Sequence, residues 1–79
     1  MDKKIQHINR DIIFRNPVDA FNNAIETGFL SANETDKDFA GNFMYMDSYH
    51  DDQSNLWIDE FKHVVTRKYR RIINENPPA

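Results

Sequence analysis

Seventy-nine residues, 39% hydrophobic and 13% aromatic, make one small domain near the size at which a single core is only marginally stabilising. The absence of cysteine excludes disulfide frameworks, thiolate zinc sites and thiol catalysis, and so short a chain has little core to spare for the walls of a deep enzyme pocket. The net charge of -3 is unevenly spread: between residues 31 and 60 Glu34, Asp36, Asp38, Asp47, Asp51, Asp52, Asp59 and Glu60 are opposed by Lys37 alone, and a basic tail follows.

Residues 1–16 combine charges with Ile5, Ile8, Ile12, Ile13 and Phe14, a pattern that suits either a short helix or a strand. Residues 1–15 and 74–79 are expected at the periphery or frayed. The stretch "NPVDAFNNAIETG" has the chemistry of a helix over 17–27. Asn16 can cap, Pro17 suits the first turn, and Asp19 complements the positive end of the dipole. Val18, Phe21, Ile25 and Phe29 recur every three to four residues and predict the buried face, and Gly28 can take the left-handed conformation that closes the helix. Ser31 and Glu34 have capping-box spacing without a following apolar run, which predicts a single turn.

"NFMYMDSY" after Gly41 reads as a strand over 43–49, with Phe43 and Tyr45 on one face and Met44 and Met46 on the other. Apolar residues on both faces require cover on both sides. "LWIDEFKHVVTRKYRRII" supports two readings. As one helix it aligns Ile58, Phe61, Val65, Tyr69 and Ile72. As a return strand over 56–65 it pairs with 43–49, and Thr66 caps a short basic C-terminal helix. No apolar run is long enough for a membrane-spanning helix or a signal-peptide core, so no membrane role and a cytoplasmic location are expected.

The chemistry-bearing constellations are sparse. His50, Asp51 and Asp52 with Glu60 and His63 are the nearest approach to a zinc or manganese set, but no HExxH spacing is present and the bland reading is a solvated turn. "DKDFAGNFMYMD" starts like a calcium loop at Asp36, Asp38 and Gly41, then places Ala40 and Asp47 where an oxygen ligand and a bidentate glutamate belong. Ser48 has His50 and aspartates near it in sequence only, and a triad is defined by geometry. No metal, cofactor or catalytic residue is therefore expected. The stretch "FKHVVTRKYRR" interleaves Phe61, His63 and Tyr69 with Lys62, Arg67, Lys68, Arg70 and Arg71, the composition of a nucleic-acid surface or of a helix end that neutralises the acidic middle. Met44, Met46, Tyr49 and Trp57, with Asp51 and Asp52, are candidate protein contacts, since Met and aromatic residues concentrate at interface centres.

"AFNNAIETGFLS", "FAGNFMYM" and "FKHVVTRKY" together resemble very short, uncharacterised bacterial and phage proteins with an "AGxYMYM…FKHxxTRxY" pattern over roughly residues 20–70. This chain departs from the pattern at Phe39 and in a longer acidic insertion at 50–60. The resemblance implies a compact α+β unit, favours the strand reading of 56–65, and brings no activity.

The expectation is one α+β domain: an amphipathic helix packed on a small antiparallel sheet, a β-hairpin, followed by a short C-terminal helix. Its expected function is non-catalytic protein binding, including inhibition of a host nucleic-acid-handling protein, with self-dimerisation open. The alternatives are nucleic-acid binding through Lys62, Arg67, Lys68, Arg70 and Arg71, and a metal-dependent protein.

Overall fold

The computed structural model describes residues 11–78. Asn16 begins α1 (Pro17–Glu26) by accepting a 2.9 Å hydrogen bond from the Val18 N–H on its side-chain oxygen, with Pro17 at the first turn and Asp19 beside it. Thr27 closes the helix, and Gly28 follows at φ +84°, a conformation that costs glycine little. The Phe29 and Leu30 N–H groups then both bond back to the Ala24 carbonyl, at 2.9 and 3.0 Å.

The buried face of α1 differs from the predicted stripe. Ala20 and Ala24 are fully buried, with Phe21 and Ile25 packed beside them, whereas Val18 is 63% and Phe29 45% exposed. Small side chains let the helix axis come close to the sheet, so the alanines rather than the bulkiest residues define the contact. Phe21 then reaches the Phe61 ring edge-on at 5.0 Å between centroids.

Residues 31–39 form successive turns tied by Ser31, whose N–H donates to the Asp38 carbonyl and whose own carbonyl accepts from Ala40. A 3-10 turn at Ala40–Asn42 leads into β1 (Phe43–Asp51), β2 (Leu56–His63) and β3 (Tyr69–Asn74). They form one antiparallel sheet in the order β1-β2-β3. The predicted hairpin of the first two strands is present.

The predicted C-terminal helix is not: residues after Thr66 form a turn and then β3. Arg67 sits at φ +65°, which no helix started at Thr66 tolerates. The His63 Nδ1 accepts from the N–H groups of Val65 and Thr66 and so fixes a tight reversal. Ile72, fully buried, and Ile73, 40% exposed, then alternate with the period of a strand.

The β1–β2 ladder is regular except at Met46. Tyr45 pairs with Phe61 and Asp47 with Glu60, so Met46 is the extra residue of a β-bulge. The bulge reverses the facing of the rest of β1: Ser48, not Asp47, follows Tyr45 onto the helix side. Phe43, Phe61, Ile72 and Leu30 join Ala20 and Ala24 in the core between helix and sheet. Burying a side chain such as Phe61 is worth roughly 1.5–3 kcal/mol, and a chain this short has few of them.

Candidate functional site

Next to this core the helix side of the sheet holds a polar cluster that joins distant parts of the chain. The Asp59 carboxylate, fully buried on β2, accepts from Arg15 Nε at 2.9 Å and Ser48 Oγ at 2.6 Å on one oxygen. Its other oxygen accepts from Asn74 Nδ2 at 2.8 Å. Since the one hydroxyl proton of Ser48 goes to Asp59, the Tyr45 hydroxyl donates to Ser48 Oγ across 2.7 Å. The Tyr45 oxygen in turn accepts from the backbone N–H of Arg15 at 2.8 Å. The bonds form a closed ring that starts and ends on Arg15, a residue 7% exposed. Ser48, fully buried within this ring, is a structural donor rather than an accessible nucleophile.

On the opposite face Asp47 and Glu60 lie directly across from each other, beside Arg71 and Tyr49. Burial pushes the Asp47 carboxyl up to about 6, helped by hydrogen bonding to Glu60 and by its charge, while Arg71 acts in the other direction. One Asp47 oxygen is buried without a hydrogen-bond partner. Burial alone would lower Arg71, but the charge and 2.7 Å hydrogen bond of Glu60, with Tyr49, leave it raised.

The candidate protein contacts fall in different environments. Met44 and Met46 on β1 are half-buried, Tyr49 is 6% exposed, and Trp57 meets His50 edge-on at 5.0 Å. Asp51 holds the β1–β2 turn by accepting from the N–H and hydroxyl of Ser54, and only Asp52 is fully open to solvent. His50 is engaged at both ring nitrogens, by Asp52 at 2.9 Å and by Asn55 at 3.0 Å. Among the described residues no three histidines or acids converge to hold a metal.

The five cations do not form one surface. Arg70, on the helix side, stacks on Phe43 and bonds Asp38 Oδ1 at 3.0 Å and the Phe29 carbonyl. Arg71 points to the other face, where Lys62 lies over the Tyr69 ring. Arg67 and Lys68 occupy the exposed β2–β3 turn.

The sheet edges contrast. β1 is covered where Ile13 exchanges two 2.9 Å backbone bonds with Ser48. At β3 the Lys68 carbonyl accepts from His63 and so faces β2, whereas the Ile73 carbonyl accepts from Asn23 Nδ2 at 3.1 Å and faces away. Alternation along the strand puts the N–H and C=O groups of Tyr69, Arg71 and Ile73 on the outer edge. Beside it lies a hollow of about 380 Å³ lined in part by Phe29 and Ile73, 45% and 40% exposed.

No known protein family matches this chain, and no curated protein or solved structure is similar to it. No described helix is long and apolar enough to cross a membrane.

Arg15, Tyr45 and Asn74 had no signal in the sequence as members of this ring, because Arg15 meets Tyr45 and Asp59 across 30 and 44 residues and Asn74 meets Asp59 across 15.

Proposed function

We propose that this chain is a non-catalytic protein-binding module that extends its sheet at β3 with an extended, acidic segment of a partner protein. The observation that carries this reading is the outer edge of β3, with outward backbone groups at Tyr69 and Arg71, the outward N–H of Ile73, and a hollow beside it whose apolar walls are Phe29 and Ile73. Cations at Arg67 and Lys68, in the exposed turn that leads into β3, border that edge and favour an acidic strand. Two copies meeting through β3 would bring these cations together, so a second copy fits less well than a different protein. A phage context, which the resemblance implies, would suit an inhibitor's role, with the exposed Asp52, held by His50, as a further contact.

Nucleic-acid binding is the second reading, since Lys62, Arg67, Lys68, Arg70 and Arg71 would attract phosphates. It is weakened by the ties of Arg70 to Asp38 and of Arg71 to Glu60. An array of extended peptides alternating apolar and acidic residues, run beside single-stranded and duplex oligonucleotides in a salt series, separates the two. The expected result is peptide binding that protects the Tyr69, Arg71 and Ile73 amides from exchange. Arg71→Pro, which removes an outward N–H that the β2–β3 ladder does not use, should abolish it. Oligonucleotide binding with a steep salt dependence, and none to the peptides, overturns the module reading.

A further inference from the structure

A second feature lies away from the outer edge of β3. At one end of the sheet the helix-side residues Phe43, His63 and Arg70 meet Thr66, Lys68 and Tyr69 around a hollow of about 290 Å³, the small end of the range for ligand sites. No acid is among these lining residues.

The polar side chains of the hollow are donors, and two of them are held in place. Arg70 lies over the Phe43 ring, 4.8 Å from its centroid. Its Nη1 donates to Asp38 Oδ1 at 3.0 Å and to the Phe29 carbonyl at 3.3 Å, which uses both Nη1 protons. The Nε–H and one Nη2–H point to the same side of the guanidinium and form its two-pronged edge. Among the described residues no bond engages that edge. His63 Nδ1 accepts from the N–H groups of Val65 and Thr66 at 3.1 and 3.2 Å, so the ring proton sits on Nε2, which is a donor. Thr66 Oγ1 accepts from the Lys68 N–H at 3.3 Å and keeps its own proton to give. Asp38 offsets the charge of Arg70, and Lys68 supplies a surplus positive charge.

We infer that this hollow binds a phosphate monoester. The Arg70 edge takes two oxygens of one anion in parallel, and Lys68, Thr66 and the His63 Nε2–H call for at least one more. A phosphoryl group has three terminal oxygens to share among them. A carboxylate has two and leaves part of the set idle. A metal cation meets only donors and positive charge, with no oxygen anion in the lining to hold it. The hollow is separate from the backbone groups of the β3 edge, so this reading and the strand-addition reading stand or fall apart.

The test is an NMR titration of the whole isotope-labelled chain at neutral pH and fixed ionic strength. The probes are inorganic phosphate, a sugar phosphate and a nucleoside monophosphate, with glutarate as a dicarboxylate beside them. The expected result is saturable shifts centred on the Arg70 Nε–H, the His63 ring and the Thr66 and Lys68 amides, with glutarate about tenfold weaker. The phosphate that binds tightest identifies what the ester carries. Lys68→Gln should weaken binding about fivefold, the upper end for an exposed ion pair. Arg67→Gln removes the same charge from the same exposed turn, but Arg67 does not line the hollow, so binding should stay within about twofold. Arg70→Lys keeps the charge and loses the two-pronged edge, and should weaken binding by about tenfold or more. If Arg70→Lys does not fold, the matched glutamine pair decides alone. Three results overturn the proposal. One is that no phosphate gives saturable shifts at the hollow. Another is that glutarate binds as tightly as the phosphates. The last is that the two glutamine variants lose equal affinity, which would mark an attraction to the turn's net charge rather than a site.

Discussion

Each face of the sheet sets an arginine among acidic side chains, and the two arrangements differ in how many donors each carboxylate receives. On the helix side Asp59 is fully buried yet accepts three hydrogen bonds, and Arg15 lies against it. On the other face Asp47 opposes Glu60 across the strands, and the 2.7 Å bond of Arg71 goes to Glu60. Asp47, the less buried of the two, keeps one oxygen without a hydrogen-bond partner and is pushed up to about 6 by its burial and by Glu60. Donor supply, more than depth, separates a stable buried charge from a strained one.

The contrast is sharpest when each face loses an acid. Asp59→Ala leaves the Arg15 guanidinium buried without its counter-ion and is expected to cost about 3–5 kcal/mol. That is from about a quarter to all of the roughly 4–12 kcal/mol expected for a chain of this length, so the urea midpoint of the variant should fall sharply. Glu60→Ala removes a bond to Arg71 and a repulsion on Asp47 together, and should change stability by no more than about 1 kcal/mol. Urea unfolding followed by circular dichroism reads both. Equal costs at the two sites would show that the ring has no special part in holding the fold.

The sequence carries parts of this picture at very different strengths. Asn16, Pro17, Asp19 and Gly28 announce α1 because caps act within a turn of their own position. The turn formers after His50 likewise announce the first hairpin. β3 stayed hidden because "VVTRKYRRII" satisfies helical and strand periods alike, and the deciding facts are a left-handed Arg67 and the His63 side chain folded onto its own turn. The buried helix face departs from the bulky apolar stripe because the close approach of α1 to the sheet selects Ala20 and Ala24. The Arg15 ring is illegible in the sequence, since it exists only after the bulge has turned Ser48 toward Asp59.

That bulge gives a second test of the comparison. Met46 is the residue the ladder does not count, with Tyr45 opposite Phe61 and Asp47 opposite Glu60. Deleting Met46 makes the ladder regular without moving any other side chain to the wrong face. The chain should stay folded with the ring intact, at a cost of about 1–2 kcal/mol for the lost packing of a half-buried methionine. Deleting Ser48 instead should unfold the chain, because His50 and Tyr49 then exchange faces. If the Met46 deletion melts without cooperativity, the bulge itself is needed and the face assignment follows from something other than register.

The smallest expected effect isolates the strained face through its pH dependence. The folded carboxyl of Asp47 titrates near 6, above its ordinary value of 3.8. A raised acid binds its proton more tightly in the folded chain, so its contribution to stability is fully present below about 3.8 and is lost as pH climbs through 6. Asp47→Asn stays neutral throughout and escapes that loss. The difference in melting temperature between variant and native chain should therefore rise between those two pH values and level off above them. Because the site is half-open and screened, the gain at neutral pH is about 1 kcal/mol at most, or about 4–8 °C for a chain of this size. Thermal melts at matched ionic strength check this, with the Asp59 ring common to both proteins and cancelling in the difference. A gap that does not change with pH would mean that the Asp47 carboxyl is not strained by its place opposite Glu60, and the contrast between the faces would lose its electrostatic half.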